Sequence, residues 1–125
     1  MRLNLSAPTF LLFLLTTAAG PLNAMDLTFL DQAPLAFLSD ADIQRLEETI
    51  SDALDTAKDG ESRSWTGSKD GNSGTVTAVR SFENDGNRCR RIEVVTLAPK
   101  AADGRGRSVV DMCQVDSEWK ILRLP

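Results

Sequence analysis

Three textures of apolar residue succeed one another along this chain. An uncharged apolar run, residues 10 to 19, follows Met1 and Arg2 and ends at Gly20 and Pro21. From Ile43 the apolar positions recur at spacings of three and four, through Leu46, Ile50, Ala53, Leu54 and Ala57, the period of one helix face. Beyond Gly60 the chain breaks into short β-branched runs parted by Gly, Asp, Asn and Ser, the texture of strands and tight turns.

The helix carries its own start and stop signals. Ser39-Asp-Ala-Asp42 has the form of a capping box, Ser39 accepting from backbone amides and Asp42 taking the usual Glu position. Gly60 is a natural stop. Glu47, Glu48, Asp52 and Asp55 fall off the apolar stripe and are predicted to be solvated. Strands are predicted over 62–66, 75–82, 88–98, 107–115 and 119–124. Loops this short join antiparallel neighbours, so the sheet is a meander, and the helix must cover one of its faces. The expected fold is α+β, one amphipathic helix packed on a four- to five-stranded antiparallel meander sheet with one cross-strand disulfide. Residues 25–38, with Pro34 and no clean period, form an N-terminal arm lying on a domain of residues 39–125.

Register comes from the only two cysteines. Cys89 and Cys113 are equidistant from Ala101, inside the turn-forming stretch Lys100 to Arg105. Folding the chain back there sets the thiols opposite one another, as a structural disulfide. It also sets Arg91 against Asp111 on the disulfide's side, and Ile92 against Val110 and Arg90 against Met112 on the other. A three-residue loop at 116–118 would place Met112 by Leu122, Val110 by Leu124 and Asp111 by Arg123. On that register Leu122 and Leu124 join Ile92, Val94, Val110 and Met112 under the helix, while Val115, Trp119 and Ile121 fall on the opposite side. The pattern does not fix the register between Thr75 and Ala98.

A disulfide requires an oxidising compartment. The first apolar run is shorter than the roughly 20 residues that span a bilayer, and Leu22-Asn23-Ala24 offers a small residue before a cut. Residues 1–24 therefore read as a secretory signal peptide, and the remainder as one small domain with no transmembrane segment. A lipid anchor would need a cysteine at the cut, and none precedes Cys89. The formal net charge is −4, which argues against nucleic-acid binding. That charge is uneven: residues 25–61 hold ten acidic side chains against two basic, whereas residues 62–125 hold eight against eleven. An acidic helix is expected beside a basic sheet.

With no His and no Tyr, Ser-His-Asp and Cys-His nucleophiles and His-ligated metal sites cannot be built. The 18 acidic residues permit many carboxylate pairs, yet none stands out, so a carboxylate-dependent hydrolase is the least favoured reading. Asp70-Gly-Asn-Ser-Gly74 resembles the start of a calcium loop but lacks the later Glu. Gly67, Gly71 and Gly74 form no phosphate cradle. Arg88, Arg90, Arg91, Arg105 and Arg107 form a candidate anion-binding patch, against which stands local neutralisation of Arg91 by Asp111, of Arg107 by Glu93 and of the rest by the acidic helix. Trp65 and Trp119 read as structural aromatics closing the core.

Taken together, Ser64-Trp65, Asp70-Gly-Asn-Ser-Gly-Thr-Val-Thr77, Phe82, Cys89-Arg90, Cys113-Gln114 and Glu118-Trp-Lys-Ile121 resemble the C-terminal domain of the bacterial outer-membrane surface-antigen family, the type named after the seventeen-kilodalton rickettsial antigen. The likeness runs from about Leu38 to Leu122. It implies a small envelope domain with bonded cysteines and no catalytic residues to carry over. Many relatives have a lipobox cysteine and a glycine zipper, and this chain shows neither. The expected function is thus an exported, periplasmic or secreted envelope domain with a non-enzymatic structural or binding role, monomeric and without cofactor or metal. Its partner would be an envelope protein or an anionic polymer. The alternative is an inhibitor-like or anionic-polymer-binding module using the basic patch.

Overall fold

A computed structural model describes residues 25–123. The segment read as a signal peptide, and the pairing expected for Leu124, lie outside the described residues. A short helix α1 (Gln32–Leu35) and a long helix α2 (Asp40–Thr56) precede five strands: β1 (Ser62–Thr66), β2 (Ser73–Asn84), β3 (Asn87–Leu97), β4 (Arg105–Val115) and β5 (Glu118–Arg123). The strands form one antiparallel sheet in sequence order, the predicted meander.

Local chemistry places α2 where its cap signals put it. Ser39 accepts from the amide of Asp42, and Asp42 accepts in return from that of Ser39. Leu46, Ile50, Ala53 and Leu54 are fully buried and meet Trp65, Val76, Ala78, Ile92, Val94, Val110 and Met112 of the sheet. Ile43, at the same spacing, is only half-buried. The arm covers the sheet area that α2 leaves open. Leu30 is buried in the same core, with Met25, Leu27, Phe29, Leu35 and Leu38 packed against it. Gly106 makes this docking possible, since a Cβ there would lie 2.7 Å from Pro34 Cγ.

The β3–β4 hairpin has the mirror register about Ala101 along its whole length, from Cys89 opposite Cys113 to Leu97 opposite Arg105. The last hairpin departs from expectation. Its turn is two residues, Asp116 and Ser117, both at positive φ, the backbone of a type I′ turn. Val115 therefore pairs with Glu118 and Met112 with Ile121 rather than Leu122. A slip of one residue exchanges the faces of a strand, so Trp119 and Ile121 pack on the core instead of opposite it. A β-bulge at Leu122 then restores the expected pairing of Asp111 with Arg123.

Candidate functional site

The two cysteines are joined, with an S–S distance of 2.02 Å. Both are buried, on the sheet face opposite the helices. The five arginines of the sequence patch do not converge. Alternation along β3 and β4 sends Arg88 and Arg90 to the helix face, and Arg91, Arg105 and Arg107 to the open face.

On the helix face, Arg90 is 1% exposed. Its Nη1 donates to the carbonyls of Ala53 and Leu54 at 3.0 and 3.1 Å, its Nη2 to Asp59 and its Nε to the Ser81 hydroxyl. The guanidinium thus satisfies carbonyls at the C-terminus of α2, where the helix dipole favours a cation. Hydrogen bonds from Ser81 and then from Arg90 hold the Asp59 carboxyl below its usual range. Arg88 lies over Trp119, 5.6 Å from the ring centroid, and the Trp119 indole N–H donates to Asp55 on α2 at 2.8 Å. Trp65 is buried over Gly74, directly across β1–β2.

The open face contains the most ordered set of charges. Arg91 grips Asp111 with two nitrogens, at 2.8 and 3.1 Å, and that contact raises the Arg91 pKa. Asp111 is fully buried beneath it. Arg107 donates to Glu93 at 2.8 Å, on the predicted diagonal, which likewise raises the Arg107 pKa. Arg105 is exposed at the end of β4.

Two further residues were not legible as site residues. Arg80 stands directly opposite Arg91 on β2, with its guanidinium over Phe82, 4.6 Å from the ring centroid. They were hidden because β2 carries a bulge at Val79, and only that extra residue brings Arg80 and Phe82 to the open face. Arg80, Arg91, Asp111 and the backbone of Arg123 form one row across four strands. The bulge at Val79 faces Arg91 and the bulge at Leu122 faces Asp111, so both irregularities of the sheet bracket the same ion pair. Bulges re-aim side chains and concentrate next to binding sites.

Among the described residues, no three His, Cys, Asp or Glu side chains gather as metal ligands, and no helix is long and apolar enough to cross a membrane. A shallow hollow on α2 is lined by Ala41, Gln44, Arg45 and Glu48.

The fold and the charged row define a small disulfide-braced α+β domain with one sheet face that no described element covers. The family model of the 17 kDa outer membrane surface antigen matches residues 52–120, and the chain belongs to that family. No curated protein and no solved structure matches it.

Proposed function

We propose that the chain is an exported domain of the bacterial cell envelope, periplasmic or secreted, whose role is to bind or to brace rather than to catalyse. One observation carries the reading: a chain of the surface-antigen family with a buried disulfide joining the inner strands β3 and β4 of its sheet, a bond that forms and persists in an oxidising compartment. The apolar segment at residues 10–19 supplies a route there.

A second reading, an anionic-ligand-binding module, is favoured by the open face. It uses Arg80, Arg91, Arg105 and Arg107, and leaves Arg88 and Arg90 to structural duty. Fractionation of cells producing the chain at low level tests the main reading. The chain is expected with the envelope or periplasm and not with the cytoplasm. Recovery of the folded chain from the cytoplasm overturns it.

A further inference from the structure

The open face of the sheet is cationic and partly apolar. Its described charged side chains are Arg80, Arg91, Arg105, Arg107 and Lys120 against Glu93, Asp111 and Glu118. Of the three carboxylates, Asp111 is fully buried under Arg91, Glu93 is held by Arg107, and Glu118 stands two residues from Lys120 at the turn end of β5. No carboxylate among the described residues meets Arg80, whose contact is with Phe82. Like charges directly opposite on neighbouring strands cost stability, and an anion over Arg80 and Arg91 would remove that cost. Between these cations stand Val79 at 42% and Leu97 at 40% exposure, with Val95, Val109 and Phe82 half-buried. The exposed carboxylates of α2, Asp40, Glu48, Asp52 and Asp55, lie on the other layer of the molecule.

From this placement we propose that the open sheet face docks on an anionic phospholipid surface, with Arg80, Arg105 and Lys120 meeting headgroup phosphates and Val79 and Leu97 reaching between them. The inference rests on the envelope reading and names the surface that this domain meets there. Charge complementarity selects the occupant. With the exposed carboxylates of α2 on one layer and an excess of cations on the other, the molecule meets a negative plane with the open sheet face toward it. The cations are spread over four strands, about 15 Å at roughly 4.8 Å per strand. That spread fits a plane better than the single track a polymer follows. Guanidinium groups are suited to phosphate oxygens by their planar fork.

Flotation of the full-length chain with vesicles tests the proposal. The vesicles are phosphatidylcholine alone, or phosphatidylcholine with roughly one part in three phosphatidylglycerol. The N-terminal segment, with Arg2 and the α-amino group, also favours anionic vesicles but is common to parent and variants, so the difference between them reads the charged face. Binding is expected to be at least ~10-fold stronger on the anionic vesicles and to fall with added salt. The triple variant Arg80→Gln, Arg105→Gln, Lys120→Gln is expected to lose most of that difference. Lys58→Gln with Lys69→Gln, which removes cations off this face, is expected to retain it. Arg80→Lys, which keeps the charge, is expected to bind like the parent and guards against a folding defect in the glutamine variant.

Equal binding to both vesicles, or equal loss in the Lys58 and Lys69 control, overturns the proposal. Displacement by inorganic phosphate at constant ionic strength, or by an anionic polysaccharide, overturns it in favour of a soluble ligand. A chain that fractionates with the envelope yet ignores anionic vesicles sinks this inference alone.

Discussion

The buried guanidinium of Arg90 donates to Asp59 Oδ1 at 3.0 Å, tying the third strand to the segment just beyond α2. The same guanidinium satisfies the carbonyls of Ala53 and Leu54, so one side chain fastens the helix end, the following turn and the sheet.

Arg90→Met should leave the Leu54 carbonyl without its guanidinium donor and the Ala53 carbonyl with only the Ala57 amide, and cost about 3 kcal/mol. Asp59→Asn should cost about 1 kcal/mol or less, because its carboxylate is half exposed. Urea denaturation of the two variants checks the ordering.

Acid should act through the same corner. The carboxyls of Asp59 and Glu61 are held below their usual range, Asp59 chiefly by Ser81 and Glu61 chiefly by Arg63. A carboxyl with a lowered folded pKa contributes stability above its unfolded pKa, and loses it as pH falls toward the folded value. Stability is therefore expected to decline below about pH 4 and to stay flat between about pH 5 and 8, since the chain has no His. Melting temperature measured against pH reads both regimes.

Gly74 lies against the Trp65 indole, and a Cβ there would also stand 2.7 Å from the carbonyl oxygen of Val95. Backbone cannot yield as a flexible side chain does. Gly74→Ala should cost about 2 to 3 kcal/mol, with a changed Trp emission spectrum reporting the displaced indole.

Replacing Cys89 and Cys113 together by Ala should cost about 3 to 4 kcal/mol, from a loop with a sequence separation of 24. Reduction of the parent protein should lower its denaturation midpoint by a comparable free energy.

Parts of the fold were legible because their signals are local. Ser39 and Asp42 are three residues apart, and the stripe from Leu46 to Ala57 needs only the helical period. The β3–β4 register was legible because two cysteines and a turn define a symmetry. The β5 register was not, since Asp116-Ser117 lacks the glycine that usually marks a two-residue turn at positive φ. Nothing in sequence marks the bulge at Val79, so Arg80 has no visible place on the open face, and the turn of two residues where three are expected moves Trp119 to the core face. Arg90 and Arg91 are neighbours in sequence with opposite roles, one a helix cap and one a partner of a buried carboxylate. Strand alternation separates them once the register is known.

On the proposed function, this domain matures in an oxidising envelope compartment around the Cys89–Cys113 bond. Trapping thiols with a membrane-permeant alkylating agent in intact cells, followed by intact-mass measurement, tests it most directly. A chain without alkyl groups and two hydrogens lighter than the reduced form is expected; a folded chain alkylated at both cysteines would rule out an oxidised, exported domain.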